Sequence, residues 1–133
     1  MLDTGATTEA ALRETPQVTS PPLQPDHQAV DFAHLFRMTM GDHSLEREVL
    51  ELFDRQAEML IGRMQAGGRE TVAALAHTIR GSARGIGAFD VASAAETLEA
   101  VSRSTGDLAP AIEALSRTAA IARETIAHHL AAR

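Results

Sequence analysis

The stretch that decides the fold reads VAALAHTIRGSARGIGA, residues 72–88. Val72, Leu75, Ala76, Ile79, Ala83 and Ile86 recur at steps of three and four, the spacing that lays one buried stripe along an α-helix. At ~100° per residue, His77 falls roughly 150° from the middle of that stripe, so it is expected to face solvent. Arg80, Gly81 and Arg84 lie on or beside its face, and Ala73 lies one turn before it. Gly81 needs explaining, because glycine costs a helix interior about 1 kcal/mol relative to alanine. The spacing predicts a helix from about Arg69 to Ile86, with Gly87 suited to its C-terminal cap.

The same periodicity continues on both sides. A short helix is expected over 30–39, with Phe32, Leu35 and Phe36 on one side. Met40-Gly41-Asp42 breaks it, and Asp42 or Ser44 can cap the next helix. That second helix should run to about Ala66, with Leu45, Val49, Leu52, Phe53, Gln56, Met59, Leu60 and Met64 as its apolar stripe. Glu46, Glu48, Glu51, Asp54 and Glu58 read as its wet face. Gly67-Gly68 ends it. A fourth helix is expected from near Asp90, carrying Val91, Ala94, Leu98 and Val101, and STGD (104–107) closes it. Asp107 caps a fifth helix with Leu108, Ile112, Leu115, Ala119, Ala122 and Ile126 on its stripe. Pro110 sits in the first turn, where a missing N–H costs least. Short turns between long amphipathic helices imply antiparallel neighbours. The fold class expected is all-α: an up-down-up-down antiparallel four-helix bundle with a short extra N-terminal helix.

Composition agrees and excludes several chemistries. The chain has 133 residues, enough for one domain with a modest core. Aromatics make up 3%, so alanine and leucine must supply most of the packing. There is no cysteine, which removes disulfides, thiolate nucleophiles and Cys-ligated zinc. All twelve basic residues are arginine, so Schiff-base chemistry and a phosphate-loop lysine are also absent. The net charge of −6 would repel a nucleic-acid backbone, so no nucleic acid is expected as a partner. No apolar run approaches the length of a membrane span, and the N-terminus lacks the basic start and apolar core of a signal peptide. A cytoplasmic protein with no membrane association is expected. Residues 1–28 hold Pro16, Pro21, Pro22 and Pro25 among polar residues, and are expected to form a flexible tail outside a bundle domain at 29–133.

An exposed histidine beside a glycine is usually an ordinary surface residue. Here its surroundings say more. Small residues flank the ring at minus four and plus four, so another surface can approach closely. Arginines within two turns would stabilise an anion there. A neutral imidazole, with an unperturbed pKa near ~6.5, is a competent nucleophile at pH 7. These are the requirements of phosphoryl transfer through a histidine.

The segment His77–Ala88 resembles the signature of histidine-containing phosphotransfer (HPt) domains, the intermediates of two-component phosphorelays. It matches that pattern at the histidine, the aliphatic Ile79, Gly81, the small pair Ser82-Ala83 and the later Ile86-Gly87, over a span of about residues 29–133. It departs at Arg80, where the family usually has lysine. The charge is kept but its geometry differs. The resemblance implies a four-helix bundle with the histidine exposed mid-helix, and His77 as phosphoacceptor. It implies Arg80 as the cation for the phosphoryl group, to which the nearby Arg84 would add, and with it Gly81 is expected to be kept without a side chain so that a partner can close over His77. The family also places a polar residue on the following helix to orient the imidazole. By spacing that position is Glu99, with Arg103 one turn on. Glu99 would take the Nδ1 proton and leave Nε2 to attack, or it is a solvated surface carboxylate. The implied partners are response-regulator receiver domains and a (hybrid) histidine kinase. The chain is expected to be a monomer without autonomous kinase activity and without a cofactor of its own, Mg²⁺ residing in the partner receiver.

Other motifs carry less. GSARGIG has the look of a phosphate loop but follows no strand and precedes no lysine. His128 and His129 are adjacent and point to different sides of a helix. With His27, His34 and His43 they read as structural or surface residues, and no metal site is expected. Two other functions compete with phosphotransfer. The dimerisation and phosphoacceptor part of a sensor histidine kinase would carry an acidic residue directly after the histidine, whereas Thr78 stands there and no ATP-binding region is present. A non-catalytic helical binding module with an incidental histidine would carry no phosphate.

Overall fold

Among the described residues, five helices form where the caps and apolar spacing place them. The computed structural model describes residues 28–132, so all but one residue of the expected tail lies outside it. The elements are α1 (Phe32–Met38), α2 (His43–Met64), α3 (Arg69–Ile86), α4 (Phe89–Ser102) and α5 (Leu108–Ala131). Asp31, Asp42 and Asp107 cap α1, α2 and α5, each accepting a backbone N–H within the first turn at 3.0–3.1 Å. Gly87 ends α3 in the left-handed conformation, φ +88°. Among the described residues there is no strand, and no helix is long and apolar enough to cross a membrane.

Helices α2, α3, α4 and α5 pack in ring order, with α5 closing back onto α2, and α1 lies against α3. The order is antiparallel. Arg47 of α2 donates to the Leu130 carbonyl near the end of α5, and Arg123 Nε meets Asp54 Oδ1 at 2.7 Å further along the pair. The core is aliphatic: Leu50, Leu60, Ile79, Leu98, Leu115 and Ile126 are buried, and Phe53 is its one buried aromatic among the described residues. Burying each large aliphatic side chain contributes roughly 1.5–3 kcal/mol. Four of the smallest core residues, Ala76 and Ala83 on α3 and Ala92 and Ala95 on α4, belong to the two most closely packed helices.

The turn between α3 and α4 is tied to the chain entering α1. Asp31 N donates to the Gly87 carbonyl at 2.9 Å, and a Cβ added at Gly87 would lie 2.7 Å from the Asp31 carbonyl oxygen. The Ile86-Gly87 pair therefore has a structural reason: Ile86 enters the core while Gly87 turns the backbone under α1.

The structure corrects the expected stripe of α2. Leu45, Leu52 and Met59 are exposed, and the inner row is Glu46, Leu50, Phe53, Ala57, Leu60 and Met64. Heptad steps through large apolar residues drew the expected stripe to one flank, whereas small Ala57 marks the true centre. Glu46, expected on the wet face, is buried. His129 Nε2 lies 3.3 Å from its Oε1, and the His129 ring stacks on Phe32 at 4.1 Å. Phe36, expected to be packed, is 54% exposed. Ala94 and Val101 of α4 are only half-buried, their expected places taken by Ala92, Ala95 and Ser102.

Candidate functional site

His77 sits midway along α3 with 63% of its side chain exposed, on the face opposite the helix's buried stripe. Its flanks are kept low. A Cβ built at Gly81 or Gly85 meets nothing within 4 Å, so packing among the described residues requires neither glycine. On the other flank, Ser82 Oγ donates to Gln56 Oε1 at 2.7 Å and pins α3 to α2.

Beneath the imidazole lies Glu99 of α4, with only 3% of its side chain exposed. The alternative of a solvated surface carboxylate is thereby excluded. His77 Nδ1 stands 3.2 Å from Glu99 Oε2. Arg103, one turn further along α4, donates to the same oxygen at 2.7 Å. Arg80 NH1 makes an ion pair with Glu99 Oε1 at 3.3 Å, and Arg80 NH2 lies 3.1 Å from His77 Nδ1. Burial alone would raise the Glu99 carboxyl. The hydrogen bond from His77 and the charges of Arg80 and Arg103 outweigh it and hold the carboxyl below its ordinary value. A buried carboxylate is tolerated because cations on two helices compensate it.

The arrangement has chemical consequences. An ionised Glu99 can accept a hydrogen bond from Nδ1–H, and in that tautomer the lone pair is on Nε2. Two guanidinium groups against one carboxylate leave one unit of positive charge beside an exposed nucleophile.

Of the residues singled out in the sequence, the structure brings His77, Arg80, Glu99 and Arg103 into one cluster and leaves Gly81 open beside it. Arg84 stands apart. Its NH2 lies 3.9 Å from Glu96 at the surface, with no contact to the ring. One supporting residue carried no signal in the sequence. Arg69, at the start of α3, donates to the carbonyls of Val101, Ser104 and Gly106 at 2.7–3.0 Å. It fixes the C-terminal end of α4, where Arg103 sits. Its carbonyl partners lie more than thirty residues away, so no local pattern marks it. Among the described residues, no group of three or more His, Asp or Glu side chains is placed to hold a metal ion.

The family model of the Hpt domain matches residues 44–132, from the first turn of α2 to the end of the described chain. The chain belongs to the Hpt domain family. The crystal structure of histidine phosphotransferase ShpA from Caulobacter crescentus has a similar fold, with a TM-score of 0.60 at 32% identity over 77% of this chain and 91% of that one. Comparison with curated proteins gives no match. Membership in the Hpt family and this neighbour support a phosphotransfer role in a two-component phosphorelay. The family match takes in α2 to α5 and leaves α1 outside it.

Proposed function

We propose that His77 carries a phosphoryl group between receiver-domain aspartates. The observation behind this reading is the pairing of an exposed imidazole with a buried carboxylate at its Nδ1. The Nε2 lone pair attacks the phosphorus of a receiver's aspartyl phosphate. As the new N–P bond forms, the P–O bond to the aspartate breaks and its electron pair leaves on the carboxylate. The ring keeps its Nδ1 proton, hydrogen-bonded to Glu99, and the positive charge that develops on it lies against that anion. Arg80 and Arg103 offset charge on the phosphoryl oxygens. The reverse reaction passes the group to another receiver. Mg²⁺ belongs to the receiver's acidic pocket and would supply most of the electrostatic catalysis there.

The partners in this reading are response-regulator receivers and, upstream, a hybrid histidine kinase. The chain acts in the cytoplasm as a monomer and does not use ATP itself. The test is incubation with a phosphorylated receiver, following label onto this chain. Acid-labile, alkali-stable label on wild type and none on His77→Gln is expected. Label retained by the variant would remove His77 from the role. The absence of label from wild type across a panel of receivers would favour a helical binding module.

A further inference from the structure

Two groups claim the same ring nitrogen. His77 Nδ1 lies 3.1 Å from Arg80 NH2 and 3.2 Å from Glu99 Oε2. A guanidinium only donates hydrogen bonds and an ionised carboxylate only accepts them. A protonated Nδ1 can bond Glu99 but then faces an N–H of Arg80. A bare Nδ1 can accept from Arg80 but then turns its lone pair toward Glu99. No protonation state of the ring makes both contacts hydrogen bonds. The two claimants are themselves joined, Arg80 NH1 to Glu99 Oε1 at 3.3 Å, so both stay in place whichever one holds the ring.

The two outcomes differ in reactivity. When Glu99 holds Nδ1, the Nε2 lone pair is free and the ring is nucleophilic. When Arg80 holds Nδ1, the neutral ring carries its proton on Nε2, the atom that must attack. Building on the reading of His77 as phosphoacceptor, we infer that Arg80 is a positioning residue that sets the tautomer of the resting imidazole. It competes with Glu99 for Nδ1 and is drawn off by the anionic oxygens of an arriving phosphoryl group. The fork of the guanidinium suits this exchange, because NH1 can remain on Glu99 while NH2 changes partner. Nucleophilicity is thereby coupled to the presence of the donor. The departure from lysine at this position acquires a use, since an ammonium is a point charge without two divergent donor arms.

The test reads the tautomer directly, without phosphate or a partner. The protein is labelled with ¹⁵N in its histidine rings, and the His77 shifts are recorded at alkaline pH, beyond the point where they cease to move with pH. Wild type should show both ring nitrogens at intermediate shifts, the average of two exchanging tautomers. Arg80→Met keeps a helix-forming stem and removes the donor. It should move the equilibrium toward Nδ1–H by roughly tenfold, the size of one charge-assisted hydrogen bond. Arg84→Met removes the same charge from the same helix without touching the ring, and should leave the shifts where they were. The inference is overturned if the Arg80→Met ring matches wild type, if wild type is already wholly Nδ1–H, or if Arg84→Met has the same effect. None of these outcomes depends on whether His77 accepts phosphate, so a failure here is distinct from a failure of the acceptor role.

Discussion

Two glycines of one motif should respond to alanine in opposite directions. At Gly87, φ is +88° and the added Cβ would stand 2.7 Å from a backbone oxygen of Asp31. Holding a non-glycine residue in the left-handed region costs about 1–2 kcal/mol. Relieving the clash must also displace Asp31 and strain its 2.9 Å hydrogen bond to the Gly87 carbonyl, a further ~0.5–1.5 kcal/mol. Gly87→Ala should therefore lose roughly 2–3 kcal/mol, which for a domain of this size lowers Tm by about 8–18 °C. At Gly81 the added Cβ meets open space in mid-helix, and Gly81→Ala should gain up to ~1 kcal/mol and raise Tm by ~4–6 °C. Gly81→Gln should melt no lower than wild type, yet accept phosphate from a receiver far more slowly, because the new side chain stands beside the imidazole where the partner must close. A small donor such as phosphoramidate should be hindered less than a protein donor. Thermal melts by circular dichroism and label-transfer rates decide both halves. A Gly87→Ala protein melting with wild type would refute the close-approach account. Equal receiver rates for Gly81→Gln and wild type would refute the access account.

His77→Gln should keep the helical spectrum and Tm of wild type within a few degrees, because the ring it replaces is largely exposed; a collapsed spectrum would contradict that placement. Arg80→Ala should shorten the lifetime of phosphohistidine more than Arg84→Ala does, since Arg80 reaches the ring and Arg84 pairs with Glu96; equal lifetimes would make both arginines ordinary surface charge. Glu99 has a folded-state pKa held below its ordinary value of 4.5, so its ionised form stabilises the fold above that pH, and the contribution is lost as pH falls through the depressed value. Urea midpoints measured from pH 6 downward should fall more steeply for wild type than for Glu99→Gln, and parallel curves would contradict the depressed carboxyl.

Much of the bundle is legible in the residues alone. The stripes of α3 and α5 appear directly because their buried positions hold aliphatic side chains at steps of three and four, and the aspartate caps sit where capping chemistry wants them. The stripe of α2 misleads for a physical reason. Size and burial are decoupled when alanine faces the core at Ala57 and leucine faces water at Leu52. Glu46 misleads because the nearer of the two histidines that meet it, His129, is 83 residues away in the chain. At the site, the exposure of His77 follows from its angle on the helix. That Glu99 is buried, shared between two arginines and in contact with the ring is a property of how α3 and α4 meet, which spacing along one helix does not encode. Arg69 is invisible for the same reason.

The small core residues of α3 and α4 have a consequence for how this site tolerates change. The 3.2 Å contact between His77 and Glu99 spans α3 and α4, and Ala76, Ala83, Ala92 and Ala95 are buried core residues of those two helices, whose small side chains allow close helix approach. Enlarging one of them to valine would overpack the core and strain that contact while every charged residue stays unchanged. In a sequence drifting under selection for phosphate exchange, these uncharged, chemically inert positions would then be as intolerant of change as the histidine they serve.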